Sequence, residues 1–163
     1  MRHAPIMSVS LLLIAAILVG CGRKPVPANR GVTGKNVVVV LAKDSPFKAG
    51  VIAKATAAME AKGVRVLRDG TGASGAYRAA DYGAVVYFAD YWMHRTPGHA
   101  KRYYHRNGDA SNIVVVITSG DPDVTVRKPF DAVTSASKEK NIDRVAGEIV
   151  GRLEKILGRA RVP

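Results

Sequence analysis

Apolar residues in this chain fall into short unbroken runs separated by stretches where they recur every three or four positions. Val37 to Leu41, Ala84 to Phe88 and Ile113 to Thr118 are the runs, with the length and β-branched or aromatic content expected of strands buried on both faces. Between the first two, Ser45 and Pro46 offer an N-cap and a first-turn proline. Phe47, Val51, Ile52, Ala55, Ala58 and Met59 then follow at helical spacing until Gly63, which predicts a helix with a glycine stop. Val64 to Arg68 alternates apolar with basic residues, the pattern of a short strand nearer the sheet edge. Gly70, Gly72 and Gly75 make the next stretch mostly loop, and a second loop is expected from Ala89 to Arg95. Thr96 and Pro97 repeat the cap-and-proline signal, and Asn107-Gly108 ends that helix. Ser119 to Asp123 reads as a turn and Phe130 to Thr134 as a fifth strand. Ile142, Val145, Ile149, Val150, Leu153, Ile156 and Leu157 form the apolar stripe of a last helix before Gly158. Strands alternating with helices predict an α/β domain over residues 36–163 with a mostly parallel sheet of four to five strands.

The first 35 residues lack this pattern. A basic start at Arg2 and His3 precedes an apolar run from Val9 to Val19, the length of a signal-peptide core and too short to cross a bilayer. Leu18-Val19-Gly20-Cys21 closes it, and this segment resembles bacterial lipoprotein signal peptides, whose lipobox ends in the cysteine that is lipidated. The resemblance implies a signal peptide over 1–20, cleavage after Gly20 and acylation of Cys21. Two or more acyl chains would give stable anchoring. Gly22 after the cysteine resembles the outer-membrane sorting pattern, which places the domain on the periplasmic side of the envelope. Pro25, Pro27 and the basic Arg23, Lys24, Arg30 and Lys35 make 21–35 a flexible tether rather than a continuing helix. Cys21 is the only cysteine, so no intrachain disulfide forms.

Charge sharpens the choice of partner. The net charge of +12 favours acidic partners such as phospholipid headgroups, a phosphorylated cofactor or an acidic redox or envelope protein. A lipid-tethered envelope protein does not meet nucleic acid, so none is expected.

The order of elements, together with Asp81 to Asp90, which is similar to the third strand of small bacterial flavodoxin-like proteins, resembles a reduced flavodoxin. That resemblance implies a flavodoxin-like three-layer sandwich with strand order 2-1-3-4-5. Its ligand crevice would lie outside the carboxyl ends of the strands, where strands 1 and 3 meet. In flavodoxins the FMN phosphate sits at the N-terminus of the first helix, which by carry-over points to Ser45 and Lys48, with Lys43 adding charge. Against this, Asp44 would repel phosphate, Pro46 has no amide hydrogen, and simple helix capping explains Ser45 equally well. An aromatic after the third strand stacks on the flavin in that family, and Tyr91 or Trp92 stands there. Packing or partner binding is the other reading of the pair.

Asp131 to Ser137 resembles the sequence that periplasmic FMN transferases modify, which would make Ser137 an acceptor of covalent FMN. A strand leading into a serine-rich turn is the alternative. His94, His99 and His105 lie among Arg95, Lys101, Arg102 and Arg106, but their spacing does not put two imidazoles on one helical face, so a solvated basic face is expected rather than a metal site. Asp121 and Asp123 flank Pro122 as turn residues. No catalytic nucleophile with its base, no Gly-x-Ser-x-Gly elbow and no P-loop appears. Two functional readings remain: a tethered FMN-binding electron carrier, or a cofactor-free flavodoxin-like binding or scaffold module for an acidic partner. Neither is a catalyst in its own right.

Overall fold

A computed structural model of the chain describes residues 31–91, 97–108, 110–121 and 131–159. Five strands, β1 (Gly34–Leu41), β2 (Arg65–Asp69), β3 (Tyr82–Asp90), β4 (Ile113–Ser119) and β5 (Ala132–Ala136), alternate with three helices, α1 (Pro46–Glu60), α2 (Gly98–Arg106) and α3 (Ile142–Arg159). All pairings are parallel, as the alternation of elements predicts, and the order is β2-β1-β3-β4-β5, as the resemblance implies.

The two-residue period of the strands divides the core into two layers. Val38, Val40, Ala84, Val86, Phe88, Val114 and Val116 face α1 and α3, where they meet Val51, Ile52, Met59, Val145, Ile149 and Leu153. Val37, Val39, Leu41, Val85, Tyr87, Val115 and Ile117 face the other way, toward α2 and the Thr71–Ala76 segment. The first layer is covered by two long helices that are also bridged by the Lys54–Asp143 and Lys62–Glu154 ion pairs. The second has one nine-residue helix and two 3-10 turns, Thr71–Ala76 and Ala79–Asp81.

Local signals explain the element ends. Ser45 Oγ accepts the Lys48 backbone N–H at 3.2 Å, and Pro46 opens α1. Gly63, at φ +74°, ends it with Gly63 N–H donating to Glu60 O and Val64 N–H to Met59 O, the Schellman arrangement that needs a left-handed residue. Asn107 anchors α2 to the second 3-10 turn by accepting the Ala79 N–H at 2.7 Å while donating to Tyr103 O.

Several boundaries differ from those the sequence predicts. β1 begins at Gly34, inside the segment expected to be tether, and Val32 packs against the second layer. β3 runs on to Asp90 because its ladder with β4 continues to the Asp90–Thr118 pair. The glycines after β2 do not leave a plain loop but a 3-10 turn. β5 lies two residues later than predicted, at Ala132–Ala136, so Thr134 and Ser135 are strand residues. α3 passes through Gly158 to Arg159. The expected caps and loop residues Trp92 to Thr96, the Pro122 to Phe130 stretch, and Cys21 with its leader lie outside the described residues.

Gly83 is fixed by packing rather than by a turn. A Cβ placed there would stand 2.1 Å from Lys35 O and 2.6 Å from Leu157 Cδ2, and the backbone atom cannot yield. Gly83→Ala is expected to destabilise the domain by about 2–3 kcal/mol, seen as a lower urea midpoint. An unchanged midpoint would show that β1 and β3 separate more easily than this packing implies.

Candidate functional site

The carboxyl ends of all five strands form one edge, and most residues with chemical potential gather there. β1 leads to Lys43, Asp44 and Ser45, β3 to Tyr91, β4 to Gly120 and Asp121, and β5 to Ser137. Tyr91 extends the β3 ladder by donating its N–H to Thr118 O at 2.8 Å, and Ser137 does the same toward Ser119 O at 2.8 Å. Tyr91 is half-buried against the second core layer, whereas Ser137 is exposed. Trp92 lies outside the described residues.

Lys48 is the unusual group. Its side chain is 4% exposed, yet its Nζ lies 2.6 Å from Asp90 Oδ1, which belongs to a side chain 56% exposed. The same oxygen accepts from Thr118 Oγ1 at 2.9 Å. Burial opposes ionisation of Asp90, but these two hydrogen bonds and the charges of Lys48 and Lys43 outweigh it and hold the carboxyl below its ordinary range. The ion pair therefore joins the first turn of α1 to the ends of β3 and β4.

This arrangement commits most of the polar side chains at the α1 terminus. Ser45 Oγ accepts from the Lys48 N–H, Pro46 has no N–H, Phe47 is buried, and Asp44 faces out to pair with Arg68 at 2.7 Å. The Lys48 ammonium is held by Asp90.

Beside it, on the α2 side of the sheet, lies an open cleft of about 630 Å³, within the range of small-molecule sites. Lys43 stands on one side, and Thr71 and Ser74 of the 3-10 turn on another. His99, Arg102 and Arg106 approach from α2. None of the described residues that line it carries a carboxylate. Among the described residues, Lys43 and Arg102 have no carboxylate at ion-pair distance. Arg106 is held in place, donating to Ser74 O at 2.7 Å and lying 5.4 Å over the Tyr103 ring.

Two tyrosines make the cleft's aromatic wall, with Tyr87 and Tyr103 stacked at 4.9 Å between centroids. Tyr103 Oη donates to Tyr77 O, so its ring cannot swing out freely. Tyr87 Oη meets His99 Nδ1 at 3.0 Å. Burial raises the Tyr87 pKa despite the Ser74 hydroxyl and the Arg106 and Arg102 charges, so this phenol stays neutral. Burial and the charges of Lys43, Arg102 and Lys48 lower the His99 pKa, against the opposing pull of Asp90. At neutral pH the imidazole is uncharged. His105, by contrast, is exposed and meets Tyr104 edge-on, so the histidines expected on one solvated face are divided between surface and cleft.

The sequence singled out Ser45, Lys48, Tyr91 and Ser137, which the fold does bring to one edge. It missed Tyr87, Arg102 and Arg106 as a group. The signal was present, since residues 99, 102, 103 and 106 follow the spacing of one helical face.

No protein-family profile and no curated protein sequence matches the chain. Solved structures do. Rubredoxin:oxygen oxidoreductase from Desulfovibrio gigas aligns over 80% of this chain and 38% of its own, with TM-score 0.53 and 8% identity. The Flv1 flavodiiron core from Synechocystis aligns over 77% and 36%, with TM-score 0.52 and 9% identity. A flavodoxin from the domain Archaea aligns over 74% and 97%, with TM-score 0.49 and 13% identity. The strand order agrees with the first two of these alignments. The fold is flavodoxin-like. The chain spans well under half of the two oxidoreductases it matches, so their chemistry as whole proteins is theirs.

The Lys48–Asp90 pair makes a direct prediction. Asp90→Ala leaves an ammonium buried without its counter-charge and is expected to cost about 3 kcal/mol, whereas Lys48→Met leaves only a half-exposed carboxylate and costs less. Because the folded carboxyl titrates lower than the unfolded one, its contribution is full above the unfolded pKa of about 3.9 and is lost as pH falls through the folded value. Urea midpoints of wild type and Asp90→Ala should therefore converge below about pH 4. A gap that stays constant into that range would mean the pair does not hold this corner.

Proposed function

We propose that the protein is an envelope lipoprotein, tethered through Cys21, whose flavodoxin-like domain binds FMN at its carboxyl edge and serves as an electron carrier. The observation that carries this reading is the basic, aromatic-walled cleft beside the point where β1 and β3 meet, the part of this fold where ligands bind. A phosphate suits the cleft's donor set, which combines cations with Ser74, Thr71 and Tyr87 hydroxyls and has no carboxylate among the described residues. Bound flavin would supply one- and two-electron chemistry, and the protein would position and tune it.

The chain's own residues have separable tasks in this reading. Lys43, Arg102 and Arg106 attract the anion, Tyr87 and Tyr103 offer a flat apolar surface, and Tyr91 lies at the end of β3 where a ring system would emerge. Covalent attachment at Ser137 is the form consistent with its exposed place just after β5. The basic surface would steer an acidic redox partner, with attraction weakening as salt rises. Gly22 after the cysteine supports outer-membrane sorting. The second reading, a cofactor-free module recruiting an acidic envelope protein, draws on the α1 terminus, where Pro46 and buried Phe47 occupy the family's usual phosphate seat.

Visible spectra distinguish the readings. Full chain isolated in mild detergent from a flavin-sufficient host is expected to show flavin absorbance that acid precipitation releases. Acid-stable colour abolished by Ser137→Ala would establish the covalent form. A colourless protein that fails to take up added FMN would leave only the cofactor-free module. The anchor is tested separately, since Cys21→Ser is expected to abolish fatty-acid labelling and move the protein to the soluble fraction. Persistent labelling would refute lipidation at Cys21.

A further inference from the structure

We propose that the cleft, and not the α1 terminus, is the seat of a phosphomonoester, held by Lys43, Arg102 and Arg106 with the Tyr87–His99 pair beside them. The inference rests on the reading that the carboxyl edge takes a phosphorylated ligand, and it says which residues take the phosphate. Three features of the structure converge on it. First, the α1 terminus has too few free donors, because Ser45 Oγ caps Lys48, Pro46 lacks an N–H and the Lys48 ammonium is engaged by Asp90. Second, the cleft collects three cations from two distant parts of the chain, without a carboxylate among the described residues that line it. Charges gathered this way repel one another and are relieved by an anion. Third, Arg106 is already oriented by Ser74 O and the Tyr103 ring, so less freedom is lost when it meets an oxyanion.

The hydrogen bonding at the cleft suits an acceptor ligand. Tyr87 is a neutral phenol, and when it donates to His99 Nδ1 the neutral imidazole carries its proton on Nε2 and is a donor there. Lys43 and Arg102 supply further N–H groups, while a phosphomonoester supplies three acceptor oxygens and nearly two negative charges at neutral pH. A guanidinium is the group best shaped to bind phosphate through two parallel hydrogen bonds. Ligands sharing this terminus, whether a flavin mononucleotide or free phosphate, compete for the same seat.

The ligand's charge also couples to His99. Lys43, Arg102 and Lys48 disfavour the imidazolium, while Asp90 favours it and Tyr87 contacts the ring. A bound dianion offsets the three cations, so His99 titrates higher with the ligand than without it.

The test uses full chain in mild detergent, free of phosphate buffer, with FMN, riboflavin and inorganic phosphate as probes. FMN and riboflavin are followed by quenching of flavin fluorescence, and inorganic phosphate by phosphorus NMR line broadening. FMN is expected to bind more tightly than riboflavin and to be displaced by inorganic phosphate. The double variant Lys43→Gln with Arg102→Gln, both exposed positions, should weaken FMN by about tenfold or more, the effect of losing charge pairs at a partly solvated site. It should leave riboflavin binding unchanged. The charge-matched control Lys140→Gln with Lys155→Gln, exposed residues outside the cleft, should behave as wild type.

Undiminished FMN affinity in the cleft variant would overturn the seat while leaving the FMN reading intact. If FMN does not bind but inorganic phosphate does, and the cleft variant loses it, the seat stands and the flavin reading falls. If neither ligand binds to wild type, the seat is refuted directly. An equal loss in the control variant would also refute it, as the sign of general charge attraction.

Discussion

A parallel sheet whose central strands are apolar on both faces must be covered on both, and this chain covers its two faces unequally. α1 and α3 lie along one face as long helices joined by ion pairs. On the other, the connection from β2 to β3 has shrunk to two 3-10 turns, which leaves α2 to do most of the covering. Gly70, Gly72 and Gly75 explain the shortening, because glycine costs about 1 kcal/mol per position in a helix interior. Tyrosines take up part of the missing volume, with Tyr77, Tyr82, Tyr87 and Tyr103 all buried in that layer. Buried hydroxyls need partners, which Asp69, His99 and the Tyr77 carbonyl provide for Tyr77, Tyr87 and Tyr103. The cleft is thus a product of the same economy of covering that draws His99 and Tyr87 together.

The Lys48–Asp90 pair acts at the neighbouring corner through a different physical effect. A buried ammonium is tolerated only with a close acceptor, so wherever β3 ends, the first turn of α1 must follow. Thr118 extends the constraint to β4. The effect on chemistry is to remove a cation from the α1 terminus and leave Lys43, one turn of backbone away, as the nearest available charge. Two lysines five positions apart therefore have opposite fates. Lys48 is structural, and Lys43 faces the cleft.

How much of this the sequence reveals depends on the range of the interactions. The strands and helices were legible because continuous apolar runs, a Ser45-Pro46 start and a Gly63 stop are local signals that fix each element before tertiary contacts form, whereas their order in the sheet came from the resemblance to flavodoxins. The end of β3 was not, because the Asp90–Thr118 register depends on pairing with a strand some 28 residues away. β5 slipped by two positions for the same reason: Phe130 is by propensity the better strand starter, and only the pairing of Ala132 with Val115 reveals the register. Ser45 was correctly read as a cap from Pro46 beside it. Lys48 was read as a ligand group, because its partner lies 42 residues away and carries no local mark.

The candidate site was legible as an edge but not as a cleft. Ser45, Tyr91 and Ser137 can be placed at strand ends once the strands are known. Recognising that Lys43 and Arg102 line one cleft requires knowing that no full helix intervenes after β2. The stripe at 99, 102, 103 and 106 on α2 looks, in one dimension, like the polar side of any surface helix. What turns it inward is Tyr103, the buried member of that stripe, whose hydroxyl is tied to the Tyr77 carbonyl. With Tyr103 fixed against the sheet, residues three and four positions to either side are carried to the cleft's rim. One buried tyrosine thereby turns part of a basic face toward the cleft, so where those charges stand depends on a packing contact.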